Sequence, residues 1–189
     1  DLAVESYERA LKLKPDDAEV YCNRGHALRG AGNLDAAIDS YKRALKLKPN
    51  YIEACASMAN SFKEKGEFNA AIENYKLAIK LEPANADIFY NMGNALKEVG
   101  EFDAAIENYK RALKIKPNYA KAYNNIGNVL EGRGEFDAAI ESYKNAVTIK
   151  PDYAEAHYNI GNILREQGNF DASIASYNRA LKIKPEYAE

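Results

Sequence analysis

The chain has 189 residues with 26 basic and 28 acidic side chains, a net charge of −2 that lacks the basic excess of a non-specific nucleic-acid binder. Hydrophobic residues at 47% and charged ones at 29% mark a globular rather than a disordered chain, and no apolar run approaches the ~20 residues of a membrane span. Two cysteines and two histidines fill a four-ligand zinc cluster only if all are used, and their spacing matches no zinc pattern, so neither metal nor cofactor is expected.

Residues 1–15 carry an apolar pattern of helical period that ends at Pro15. Pro49, Pro83, Pro117, Pro151 and Pro185 follow at a constant interval of 34 residues. Numbered so that proline is position 32, five full rows begin at Ala18, Ile52, Ala86, Ala120 and Ala154 (18–51, 52–85, 86–119, 120–153 and 154–187). Residues 1–17 precede them and 188–189 follow, so one repeat array fills the chain. Each row predicts a first helix at positions 1–14, as in ADIFYNMGNALKEV from Ala86. A second helix is predicted at about 17–31, as in FDAAIENYKRALKIK from Phe102. Glycine at position 15 (Gly32, Gly66, Gly100, Gly134, Gly168) suits the turn between them, because it tolerates positive φ. Proline then ends the second helix.

Within a row, position 8 is small (Gly25, Ala59, Gly93, Gly127, Gly161), as are position 20 (Ala37, Ala71, Ala105, Ala139, Ser173) and position 27 (Ala44, Ala78, Ala112, Ala146, Ala180). Small residues at matching places let two helix axes approach closely. Tyrosine recurs at position 24 (Tyr41, Tyr75, Tyr109, Tyr143, Tyr177), and a large apolar residue at 17 (Leu34, Phe68, Phe102, Phe136, Phe170). Both columns are expected in the core. Position 4 varies (Tyr21, Cys55, Phe89, Tyr123, His157), and Cys55, Met58 and Ala59 make the second row the least regular; it is expected to pack less tightly.

Small residues at 8, 20 and 27, aromatics at 17 and 24 and proline at 32 on this period resemble the tetratricopeptide repeat family over the whole chain. The resemblance implies an all-α, open, right-handed superhelical solenoid of antiparallel helix pairs. It also implies that positions 2, 5, 6, 9, 12 and 13 of the first helices face a concave groove. Asparagine fills most of positions 6 and 9 there: Asn23, Asn91, Asn125 and Asn159, and Asn60, Asn94, Asn128 and Asn162. A carboxamide both donates and accepts, so such a ladder could hold a peptide backbone whatever its side chains. It resembles the ladder in the repeats of O-linked N-acetylglucosamine transferase; the same residues could equally serve repeat packing. Position 5 is irregular (Cys22, Ala56, Tyr90, Asn124, Tyr158), which suits either a specificity surface with Tyr90 and Tyr158 as anchors or drift on an exposed face. Family members that clamp a terminal carboxylate use two lysines and an arginine. Of that set this chain offers Asn60, Asn91 and Lys121, enough for weak binding of an extended peptide or a single carboxylate.

Acids at position 2 and bases at position 12, like the recurrent KLKP and KIKP endings, complement the helix dipole and form no phosphate stripe. No nucleophile–base set, P-loop or GxGxxG follows from the columns, so catalysis is not expected. Cys22 and Cys55 read as free thiols of a cytoplasmic protein. The expected function is a non-catalytic scaffold that binds a protein or peptide, without nucleic acid or membrane. Two alternatives stand beside it. One is a substrate-recruiting arm of a larger enzyme of glycosyltransferase or sulfotransferase type. The other is a self-assembling scaffold whose ends, around Val4, Tyr7 and Leu11 and around Ile174, Tyr177 and Leu181, stack between molecules.

Overall fold

A computed structural model describes residues 2–188, the side chains of 187 and 188 excepted. Eleven α-helices and one short 3₁₀ turn form among them, and no strand. Contacts divide the chain into two compact units, residues 1–101 and 102–189. The first holds α1 (Leu2–Leu13), α2 (Ala18–Gly30), α3 (Leu34–Leu47), α4 (Ile52–Glu64), α5 (Phe68–Leu81) and α6 (Ala86–Glu98). The second holds α7 (Phe102–Ile115), α8 (Ala120–Gly132), α9 (Phe136–Ile149), α10 (Ala154–Glu166) and α11 (Phe170–Ile183), then the turn Pro185–Ala188. The border falls inside the third row, just after Glu101.

Every helix from α2 onward begins where the columns place it, because its start and stop are local. Gly32, Gly66, Gly100, Gly134 and Gly168 take φ values of 74 to 80°. The next amide then reaches back over the turn, as Asn33 N to Leu28 O at 2.9 Å and Glu135 N to Leu130 O at 2.9 Å. This is the six-to-one bond of a glycine-terminated helix. At the other end of each row, proline acts through its predecessor: Lys48, Glu82, Lys150 and Lys184 sit at φ −129 to −137°, ψ 83 to 93°. A residue before proline is pushed out of the helical region, so the second helices stop one residue short of the expected end.

At Pro15, Pro49, Pro83, Pro117 and Pro151 the side chains at positions 31 and 34 meet across the proline. Lys14 Nζ pairs with Asp17 at 2.8 Å, and Asn85 donates to Glu82 at 2.9 Å. Lys48, Lys116 and Lys150 lie 4.6, 4.5 and 5.4 Å from the ring centres of Tyr51, Tyr119 and Tyr153, a cation–π distance. Asp17 and Asn85 also cap α2 and α6 by accepting from two backbone amides each. The tyrosines make no cap, so there the lysine contact holds the bend.

The small columns do what their size requires. A Cβ added at Gly25, Gly127 or Gly161 would lie 2.5 or 2.6 Å from the ring of Tyr41, Tyr143 or Tyr177. Ala37 and Ala44 are completely buried in one core with Tyr41, and Ala139 and Ala146 in another with Tyr143. Position 17 is different: Phe102 is 44% and Phe170 63% exposed, while Leu34, Phe68 and Phe136 are half-buried. It opens a helix at the rim of the packing, so the expectation of a core column fails there. In the second row Cys55, Met58 and Ala59 are all buried, and the Cys55 thiol donates to Asn74 O at 3.3 Å. Val4 of α1 packs on the first core, yet α1 has no fully buried residue.

Candidate functional site

Within each unit, the face carried by the first helices is built by two offsets between consecutive rows. Position 9 of one row meets position 6 of the next. In the first unit His26 Nε2 lies 2.9 Å from Ser57 Oγ; in the second Asn159 Nδ2 donates to Asn128 Oδ1 at 3.0 Å. Position 5 meets position 2 of the next row, 31 residues on, as where Asn124 Nδ2 donates to Glu155 Oε1 at 2.9 Å. This second offset corrects the reading of position 5. Cys22 and Asn124 are fully buried, because the following first helix lies over them, whereas Tyr90 is half-buried and Tyr158 36% exposed. Position 5 is therefore part seam and part surface.

All eight predicted asparagines are half-buried, and Lys121 is exposed. Asn23, Asn60, Asn91 and Asn94 belong to the first unit with Tyr90; Asn125, Asn128, Asn159 and Asn162 belong to the second with Tyr158 and Lys121. The Asn60–Asn91–Lys121 set is thus divided between the units. Several carboxamide oxygens already have partners. Tyr75 Oη donates to Asn60 Oδ1 at 2.5 Å and Tyr177 Oη to Asn162 Oδ1 at 2.9 Å. Lys63 Nζ donates to Asn91 Oδ1 at 3.0 Å. Asn128 Oδ1, besides accepting from Asn159, sits 2.7 Å from Tyr143 Oη, whose proton also faces Glu131 Oε2 at 2.6 Å. In both units a tyrosine of position 24 donates to an asparagine of position 9, a link the sequence did not suggest. Its only signal there was a constant spacing of 15 residues. A carboxamide with its oxygen engaged presents its N–H₂, so this face offers donors more than acceptors.

Burial governs the ionisable groups of this face. It holds the Lys63 ammonium below the usual lysine range and pushes the phenols of Tyr41, Tyr75 and Tyr143 upward. It raises the Cys22 thiol to about 11 and lowers His26. Both cysteines are free. His157 is buried with Nε2 3.0 Å from Pro151 O, a fixed core position. A cavity of about 760 Å³ in the second unit, bordered by Ile140, Lys144, His157, Leu164 and Arg179, includes none of the eight predicted asparagines. No helix among the described residues is long and apolar enough to cross a membrane.

Known proteins agree with this architecture. A family model described as TPR repeat matches residues 1–30, 59–100 and 93–134, and models described as Tetratricopeptide repeat match 18–51 and 124–188. The crystal structure of MamA superposes with a TM-score of 0.81 at 33% identity, covering 87% of this chain and 96% of MamA. YrrB, described as a TPR protein with an unusual peptide-binding site, superposes at 0.77 with 24% identity over 98% and 96% of the two chains. A MamA fragment from Desulfovibrio magneticus gives 0.81 at 18% identity over 89% and 96%. No curated protein matches the sequence. The fold is an all-α repeat solenoid.

Proposed function

Because the chain belongs to the tetratricopeptide-repeat family, we propose that it is a non-catalytic interaction scaffold that holds an extended peptide along the first-helix face. The observation that carries this reading is the engaged state of the carboxamide oxygens at Asn60, Asn91, Asn128 and Asn162. Their remaining N–H₂ groups suit carbonyl oxygens of an extended backbone, which recur along any peptide. Asn23 and Asn94 in the first unit and Asn125 and Asn159 in the second occupy the same two repeat positions, Tyr90 and Tyr158 suit apolar anchoring, and Lys121 suits a carboxylate. YrrB shares the fold, and its description names a peptide-binding site. Binding from a peptide library to the wild type, then to the chain with Asn91, Asn125 and Asn159 all changed to Ala, tests the idea. A loss of about ten-fold or more is expected, from two or three hydrogen bonds of ~0.5–1.5 kcal/mol each. Equal affinity for the selected peptide would sink it.

A second reading, self-association through the outer side of α11, draws on Phe170 at 63% and Ile174 at 57% exposure. Light scattering that stays monomeric as concentration rises would count against it.

A further inference from the structure

In the first row the asparagine–tyrosine network is broken by a histidine. Position 9 carries asparagine in the other rows, and Tyr75, Tyr143 and Tyr177 each reach it through their hydroxyl. Here the residue is His26, its ring tilted against Tyr41 at 5.5 Å between centroids, and the Tyr41 hydroxyl is buried without a hydrogen-bond partner. Such an orphan costs about 1–3 kcal/mol.

What the substitution completes is a cluster of metal-ligating donors. Cys22 stands four residues before His26 on α2, on the same helix face, and its Sγ lies 3.9 Å from His26 Nε2. The offset that joins Asn124 to Glu155 brings Glu53 from α4 to this pair. Glu53 Oε1 is 3.9 Å from His26 Nδ1, and one donor atom from each of Cys22, His26 and Glu53 falls within 4.8 Å of the others.

We propose that Cys22, His26 and Glu53 bind a Zn²⁺ ion. One thiolate, one imidazole and one carboxylate are the ligand types zinc accepts, and three protein ligands leave a fourth tetrahedral position for water or a donor from a partner. Bond lengths of about 2.3 Å to sulfur and 2.0–2.1 Å to nitrogen make the sulfur–nitrogen edge of a tetrahedron ~3.6 Å. The observed 3.9 Å needs to shorten by a few tenths of an ångström. Ser57 Oγ, now on Nε2, gives up that bond when the ion takes the nitrogen. Cys22 is completely enclosed, so the ion enters past the His26 and Glu53 side chains, which keep 34% and 58% exposure. Binding replaces the thiol proton by the metal: the S–H bond is lost, the proton goes to the buffer, and no electron moves.

The test uses tag-free full chain stripped with chelator, titrated with Zn²⁺ by calorimetry and with Co²⁺ by absorption. One ion per chain is expected. The cobalt form should show the visible bands of a tetrahedral ion and a near-ultraviolet thiolate-to-cobalt band. Cys22→Ser should lose the thiolate band, while Cys55→Ser, at the other buried thiol, should keep it. His26→Asn installs the residue used by the other rows, so it should remain folded by circular dichroism, and its affinity should fall by about ten-fold or more. Glu53→Gln should weaken binding without removing the thiolate band. A wild-type chain that gives no tetrahedral spectrum overturns the proposal. So does a thiolate band that survives Cys22→Ser, or a His26→Asn chain that binds as tightly as wild type.

Discussion

Gly127 has no room for a methyl group: the added carbon would stand 2.5 Å from Cε1 of Tyr143, which is itself fully buried. Gly30, on the last turn of α2, meets nothing within 4 Å. Gly127→Ala should lower stability by about 1–3 kcal/mol through overpacking. It should not unfold the chain, because Ala59 occupies the same column in the second row while Tyr75 stays buried. Gly30→Ala should be neutral or stabilise by up to about 1 kcal/mol, since it removes backbone freedom from the unfolded chain. Urea denaturation of the two variants separates them, and equal midpoints would show that the close approach has no energetic weight. Tyr41, Tyr75 and Tyr143 also predict an alkaline limit. Their folded pKa lies above the unfolded value of about 10 because burial disfavours the phenolate. Their contribution is intact below pH 10 and is lost as pH rises above it, where only the unfolded chain releases the proton. Phenolate absorbance from these three tyrosines should therefore grow together with the loss of helical circular dichroism. Titration of these phenols with the helices intact would contradict the assignment.

At the scale of the helix, the seams between rows are of two kinds. Asn124 is fully buried, its Oδ1 is already without a partner, and its amide rests on Glu155. Glu155→Ala should cost about 1–3 kcal/mol by leaving that amide unsatisfied. The double change with Asn124→Ala should recover part of the loss. Asp103, 91% exposed and paired with Arg133, forms a seam of the second kind, together with Lys65–Asp35 and Gln167–Asp137. Asp103→Ala should change stability by less than about 0.5 kcal/mol, since an exposed pair gains little against water and salt. Thermal melts of the three variants decide; an Asp103→Ala effect as large as that of Glu155→Ala would reverse the ranking. Helix boundaries were legible in the sequence because glycine at position 15 and proline at position 32 act on their immediate neighbours. The seams were not, since the link from Asn124 to Glu155 spans 31 residues and depends on how deeply one helix lies over the next. The same blindness put position 17 in the core and hid Cys22, His26 and Glu53 from each other.

For the molecule as a whole, an array whose parts touch mainly their neighbours should not be equally stable along its length. No residue of α1 is fully buried, whereas α4 buries Ala54, Cys55, Ser57, Met58, Ala59 and Ser61. Amide hydrogen exchange should therefore be faster throughout α1 than in α4, by about a factor of ten for each ~1.4 kcal/mol of difference in local opening. Uniform protection across both would mean that the first unit opens only as a whole.

The glycine turns have a consequence at the level of the gene. Each row carries its own stop after the first helix and its own stop after the second, with φ between 74 and 80° at all five glycines. A crossover between two copies in the same register would then rejoin complete punctuation to complete punctuation. Duplication or loss of one whole row leaves every helix boundary spelled as before, while an indel of any other size breaks one. Descent by copying and deletion of rows is the path this architecture leaves open, and its natural unit of inheritance is the interval between two prolines.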